Sequence, residues 1–328
     1  MLNVGIISTW HVHTRDYVAQ LKNHGKVNIC ALWDEDPQKG RDIAAEWKVD
    51  FEENFEAFIN RKDFSAVICN APTTMHFDLL LKSAEAGKHI FTEKLLTVTT
   101  QDAEQLAEKI RRAGIIFTIS LPLRCNAAIL YIKELVDSGT LGRISGARFR
   151  RSHGGVSDAW LPEYWFDTSM TGGGAMMDLG AHPVYILSFL FGPPVRVTGL
   201  LTQPFGSSSD ENAIGLAEFK DGILGTMETA FLTYGVPDLL EVYGTEGSVF
   251  MEGPDLRVRT KSLDALSFND ARPKALPAGR PSPVIQFAEA CLNKTGSPEY
   301  LGIDDAVLMT RTIEAIYQSD KTGQTLRF

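Results

Sequence analysis

The residues best suited to chemistry stand at the ends of apolar runs. Lys94 closes the stretch GKHIFTEK, and in a partly desolvated crevice its ammonium can polarise a substrate oxygen or stabilise an alkoxide. Just upstream, NAPTTMH offers Ala71, Pro72, Thr73 and His76, with Glu93 directly before the lysine. Both stretches follow strand-like runs, where the open edge of a parallel sheet binds ligands, so these residues are candidates for holding a cofactor.

A second candidate pair lies in GGGAMMDLGAHPVYILSFLFG. Asp178 and His182 are four apart, a spacing that stacks them on one face of a helix among apolar neighbours. A carboxylate and an imidazole there must be paired or used: either they bond each other and nearby backbone, or they serve a substrate. Pro183 predicts a kink beside His182.

The opening run GIISTWHVH stands where a Rossmann fold places its phosphate-binding glycines, yet Ser8, Trp10 and His13 fill the three motif positions. The next run, NICALWDEDP, ends in Asp34, where an acid bonds ribose hydroxyls and repels a 2′-phosphate, favouring NAD over NADP. The other reading is that Asp34 and Asp36 open the next helix with Pro37. His11-x-His13 matches a spacing used by metal-dependent hydrolases. The remaining histidines, at 24, 76, 89, 153 and 182, do not complete such a site, so no metal is expected. Trp160, Tyr164 and Trp165 in SDAWLPEYWFD, with His153, suit the apolar faces of a sugar or cyclitol, or equally a subunit contact.

The elements that must position these groups follow from periodicity. Over residues 1–120, NVGIIS, VNICALW, SAVICN, HIFTE and IIFTIS alternate with helix-period segments, a β-α-β rhythm that predicts a parallel sheet covered on both faces. Thr99 and Thr100 open one such helix and Gly114 closes it. Over residues 121–328 come an amphipathic helix, a strand near RISGARFRR, an apolar helix from about Gly174 to Phe191, and then VRVTGLLTQ, NAIGLAEFK, GILGTMETAFL and LLEVYGT. These four runs, divided by turns such as Asp221-Gly222, predict an antiparallel meander. Its faces are too apolar to stand uncovered, which predicts a homodimer or homotetramer. Residues 261–282 read as an exposed connection.

Composition bounds the rest. The 328 residues are 44% hydrophobic and 22% charged, enough for two cores. A net charge of −9 and a pI near 5.3 repel nucleic acid and anionic membranes, so neither is an expected partner. MLNVGIISTW lacks a signal-peptide pattern and no run reaches the ~20 apolar residues a bilayer requires, so the chain reads as cytoplasmic. Cys30, Cys69, Cys125 and Cys291 form no C-x-x-C pair and read as free core thiols.

GIIS, ALWDEDP, AP-T-x-x-H, AGKHIFTEK, SGTLGRI and WFD before GGGAMMDLGAHPVYIL, in that order, resemble the Gfo/Idh/MocA family of oxidoreductases, which includes inositol dehydrogenase-like sugar enzymes. The resemblance implies an α/β Rossmann domain followed by an α+β domain with a large open, mostly antiparallel sheet. It implies an NAD(P)-dependent oxidation or reduction at a secondary hydroxyl or keto group of a sugar, cyclitol or derivative, the substrate lying between the domains. Lys94, Asp178 and His182 map to the family's catalytic positions, His182 as base, Lys94 holding the oxygen and Asp178 orienting. Arg124 stands for a substrate-contacting arginine, beside His153, Trp160 and Trp165. Family relatives also include redox-neutral lyases, glycosidases and epimerases that retain NAD.

Two departures shape further expectations. Ser8, Thr9, Trp10 and His11 carry side-chain donors that can bond phosphate in place of close backbone approach. Leu95 replaces the usual proline after Glu-Lys, and a cis bond before a non-proline residue costs about 2.5–4 kcal/mol, so a trans bond is expected.

Overall fold

A computed structural model describes residues 1–261 and 272–328. Of the connection expected over 261–282, residues 262–271 lie outside the described residues. The chain divides into two compact units, residues 1–121 with 281–310, and residues 122–280 with 311–328.

The first unit alternates strand and helix: β1 (Leu2–Ile7), α1 (Thr14–Asn23), β2 (Val27–Trp33), α2 (Pro37–Trp47), β3 (Asp50–Phe51), α3 (Phe55–Ile59), β4 (Ala66–Cys69), α4 (His76–Glu85), β5 (His89–Thr92), α5 (Thr100–Ala113) and β6 (Phe117–Ile119). The strands form one parallel sheet in the order β3-β2-β1-β4-β5-β6. Central strands buried on both faces must be apolar throughout, and Val4, Ile6, Val67, Ile68, Ile90 and Phe91 are fully buried. The α5 punctuation matches its sequence: the Thr99 hydroxyl accepts the Asp102 amide at 3.1 Å, and Gly114 takes the left-handed conformation that ends the helix.

The second unit contains α6 (Ala127–Asp137), β7 (Ile144–Ser152), α7 (Thr168–Thr171), α8 (Ala175–Asp178), α9 (Ala181–Phe191), β8 (Pro194–Thr202), β9 (Asn212–Phe219), β10 (Leu224–Ala230), β11 (Leu239–Gly244), β12 (Gly247–Glu252) and β13 (Asp255–Thr260). Then follow α10 (Pro283–Asn293), α11 (Ile303–Thr322) and β14 (Leu326–Arg327). The eight-stranded sheet runs β13-β12-β11-β7-β10-β9-β8-β14 and is antiparallel except for β7 beside β10. The four-strand meander is therefore corrected: β8, β9 and β10 are consecutive, but β7 lies between β10 and β11. The connection 231–238 steps across that strand, and such long-range pairing leaves no local signature.

One face of this sheet buries Ala213, Ala217, Phe219 and Met227, packed against α8 and α9. The opposite face leaves Leu200, Leu216, Leu224 and Tyr243 exposed.

Four expectations change here. The sequence reading placed residues 281–310 in the second domain, but Val284, Phe287, Ala288, Ala290 and Cys291 of α10 are buried in the core of the first unit with Leu2, Val4, Tyr17, Val18 and Phe91. Burial of Val284 and Phe287 stabilises that unit by roughly 1.5–3 kcal/mol each. The single helix over 174–191 is two, broken at Leu179-Gly180, where the segment 168–178 and α9 meet at 51°. Pro183 does not kink it, because it sits in the first turn of α9, where a missing amide hydrogen disturbs nothing. All four cysteines are free, but Cys30 is only half-buried, at a register shift between β2 and β1. No single helix among the described residues is long and apolar enough to cross a membrane.

Candidate active site

In the first unit the predicted cofactor residues converge on the carboxyl edge of the sheet. The β1–α1 turn begins at Ser8, whose φ of +67° is the left-handed conformation that a glycine would adopt there. The turn thus keeps its path without its glycine, tied by the Ser8 hydroxyl accepting the Trp10 amide at 3.0 Å. Thr9 donates both amide and hydroxyl to Asp34 Oδ2, at 2.8 and 2.6 Å, and the Asp36 amide donates to Oδ1 at 3.0 Å. Asp36, not Asp34, caps α2, accepting the Gln38 and Lys39 amides. A carboxylate offers about four acceptor positions, so Asp34 retains one beyond these three donors. Beside it, burial and then the Asp34 charge push the Glu35 carboxyl up, against a hydrogen bond from Ser8.

The His11 amide donates to Asn70 O at 3.1 Å, joining the turn to the end of β4. Ala71, Pro72 and Thr73 are buried there. His76 is fully buried, its ring nitrogens 2.6 Å from Leu95 O and 2.9 Å from Ala71 O; burial lowers its pKa against the pull of those two carbonyls. It acts as a clamp between two loops. One of those loops carries a correction: the Lys94-Leu95 bond is cis. Tertiary contacts set the isomer there, with His76 on Leu95 O, and Leu95 and Leu96 buried.

Glu93, 1% exposed, is the centre of a network that sequence spacing does not reveal. It accepts the Tyr17 hydroxyl, His13 Nδ1 at 3.0 Å and the Lys94 amide at 3.1 Å, with His11 Nδ1 at 3.7 Å. Tyr17 also bonds Ser120 Oγ at 2.8 Å. Burial pushes the Glu93 carboxyl up, but His11, His13 and Lys94 together override it and hold it well below the usual carboxylate range. Lys94 is itself buried.

In the second unit, Asp178 ends α8 and His182 lies in the first turn of α9, so the expected one-helix stacking does not apply. Asp178 Oδ2 accepts the Trp165 indole at 3.1 Å. His182 Nδ1 lies 2.8 Å from the Tyr185 hydroxyl, and burial raises the pKa of that phenol. Arg124, expected at the substrate, is buried and donates through Nε and Nη2 to Tyr185 O at 3.3 and 2.8 Å, its guanidinium over the Phe189 ring. It anchors α9. His153 stacks on Phe231 with centroids 5.2 Å apart and meets Trp160 at 4.6 Å. Trp160 is 56% exposed, whereas Trp165 is buried.

Sequence reasoning missed Asp210. Its carboxylate accepts the Gly174 and Met176 amides at 2.8 and 2.7 Å and the Tyr317 hydroxyl at 2.6 Å, which fixes the start of the helix that ends in Asp178. Burial pushes its pKa up, opposed by those three donors. A lone aspartate in FGSSSDEN carried no signal for this.

Two family models match the chain. The oxidoreductase family with an NAD-binding Rossmann fold matches residues 2–121, and the GFO/IDH/MocA C-terminal domain matches residues 129–250. The NAD(+)-dependent scyllo-inositol 2-dehydrogenase of Bacillus subtilis (strain 168) is 30% identical over 66% of this chain, which spans 64% of that protein's length. The 2,7-anhydro-N-acetylneuraminate hydratase of Mediterraneibacter gnavus is 24% identical over 65% of this chain and 58% of its own length. Levoglucosan dehydrogenase, solved with NADH and levoglucosan, shares the fold with a TM-score of 0.86 and 22% identity, over 99% of each chain.

Proposed function

The chain belongs to the GFO/IDH/MocA oxidoreductase family, and from that premise we propose that it is an NAD-dependent dehydrogenase of a secondary hydroxyl on a sugar or cyclitol. The observation that carries the reading is the β1–α1 turn: Ser8 keeps the glycine-like backbone, and Asp34 closes the turn with one acceptor to spare. Ser8, Thr9, Trp10 and His11 face phosphate on this reading, and Ala71, Pro72, Thr73 and Glu93 lie along the same sheet edge. Asp34 with Glu35 makes that end of β2 acidic, which disfavours a 2′-phosphate and supports NAD over NADP.

Bound NAD would supply the hydride acceptor. His182 takes the proton of the substrate hydroxyl. When its Nδ1–H donates to the Tyr185 oxygen, Nε2 keeps the lone pair that a base requires. Lys94 stabilises the developing alkoxide. Asp178, held by the Trp165 indole, orients a neighbouring hydroxyl, and Trp160 and His153 offer flat surfaces to the sugar. The test is a panel of sugars, inositols and their keto forms followed at the nicotinamide absorbance, with NAD and NADP in parallel. No turnover across the panel, together with no NADH-dependent change in Trp10 fluorescence, would overturn the reading.

A second reading is favoured by the relative named a hydratase: a redox-neutral cycle with retained NAD, ending in lyase, glycosidase or epimerase chemistry. Nucleotide released only on denaturation, with no steady NADH formation, distinguishes it. The family assignment displaces the metal-dependent hydrolase reading of His11 and His13.

We also propose that the exposed sheet face bearing Leu200, Leu216 and Leu224 is covered by a second copy of this chain, in a dimer or tetramer, in the cytoplasm. Sedimentation showing only monomer at micromolar concentration would remove the oligomer.

A further inference from the structure

We infer that His11, His13 and Glu93 form a binding site for a divalent transition-metal ion of the Zn²⁺ class on the first unit. A candidate ligand atom from each of the three lies within 4.8 Å of the other two. Zn²⁺ takes imidazole nitrogen and carboxylate oxygen at about 2.0–2.2 Å, so two ligands of one tetrahedral ion stand roughly 3.4 Å apart. His13 Nδ1 and His11 Nδ1 lie 3.0 and 3.7 Å from Glu93 Oε1, on either side of that separation. To bind the ion through Nδ1, His11 must also release the His13 backbone amide that this nitrogen accepts at 3.2 Å.

The surroundings suit a cation as well. Glu93 is fixed by the Tyr17 hydroxyl on Oε1 and the Lys94 amide on Oε2, outer partners of the kind that hold a metal-binding carboxylate in place. Tyr17 is in turn held by Ser120 Oγ. His13 is 49% exposed while His11 and Glu93 are buried, so an ion enters past the His13 ring and solvent supplies the remaining ligand. Two imidazoles and one carboxylate select borderline transition ions over Mg²⁺ or Ca²⁺, which demand all-oxygen shells. Lys94 follows Glu93 directly in the chain, and its like charge works against the ion.

Spacing alone gave only His11-x-His13. The third ligand comes from the end of β5, placed beside the β1–α1 turn by the parallel sheet.

The experiment uses the full chain after chelator treatment, without nucleotide, so that it stands apart from the dinucleotide reading. Co²⁺ is titrated while visible d–d absorption is recorded, then displaced with Zn²⁺. Expected are one Co²⁺ per chain with tetrahedral-type bands, loss of the bands on adding Zn²⁺, and affinity about 10–100-fold weaker in His13→Ala. His13 is exposed enough for this variant to fold, which circular dichroism verifies. His24→Ala, whose ring pairs with Glu289 elsewhere in the unit, leaves affinity unchanged. Absence of the bands, wild-type affinity in His13→Ala, or equal weakening in His24→Ala would each overturn the site.

Discussion

Thr9 gives its backbone amide and its hydroxyl to the same oxygen of Asp34, at 2.8 and 2.6 Å. That pair joins the β1–α1 turn to the end of β2, so one carboxylate shapes the turn and, on the proposed reading, bonds the adenosine ribose. Removing it should therefore affect stability and cofactor choice together.

Asp34→Ala leaves the buried Thr9 amide without its acceptor, and unfolding free energy is expected to fall by about 1–3 kcal/mol in urea titrations. NADH affinity falls about tenfold, while NADPH affinity changes less because a repelling charge is gone. Fluorescence titrations with both nucleotides check this, and an unchanged NADH-to-NADPH ratio would contradict it.

His182→Ala is expected to lower kcat by about 10²–10⁴-fold as loss of a general base. Lys94→Ala should lower it about 10²–10³-fold as loss of a transition-state donor. Circular dichroism of both should match the wild type. Near-normal turnover in either variant removes that residue from the chemistry.

The Glu93 carboxyl is held below its ordinary value in the folded chain, so the unfolded chain binds more protons as the solution is acidified. Its contribution is present in full above the unfolded value near 4.5 and is lost as pH falls toward the depressed folded value. Urea midpoints should drop from pH 5 downward more steeply in the wild type than in Glu93→Gln. Parallel profiles would show that Glu93 carries no such linkage.

Trp165→Phe keeps the ring but removes the indole donor from Asp178. Loss of about one charge-assisted hydrogen bond predicts roughly a tenfold fall in kcat/KM, with the fold retained. Unaltered kinetics would mean that Asp178 is positioned by its other contacts.

Gly174→Ala places a methyl against the Asp210 backbone, on the amide that Asp210 itself holds. The start of α8 must shift, at a cost of about 1–3 kcal/mol, and Asp178 shifts with it. A thermal melt and an activity assay read the two effects, and a variant normal in both would show that the backbone there can yield.

The β-α-β rhythm was legible because strands buried on both faces must be continuous apolar runs, as VNICALW and SAVICN are. The α5 boundaries were legible because Thr99 and Gly114 cap it through local bonds. Asp178 and His182 stood out as polar groups among apolar ones. What spacing hid was long-range: Glu93 beside His13, Asp210 beneath Gly174, and β7 threaded between β10 and β11. The bond of Arg124 to a backbone carbonyl on α9 was hidden for a related reason, since such a partner leaves no mark in side-chain composition.

The apolar stripe of α10 carries an implication for biosynthesis. A ribosome that has added residue 121 has synthesised all six strands of the parallel sheet but not the segment that seals their flank, because residues 122–280 must be made first. At about 5–20 residues per second, the nascent sheet waits on the order of ten seconds or more with greasy surface uncovered. A fragment ending at 121 is thus expected to cling to chaperones or precipitate, and the two halves of this polypeptide cannot be expressed apart by cutting it once.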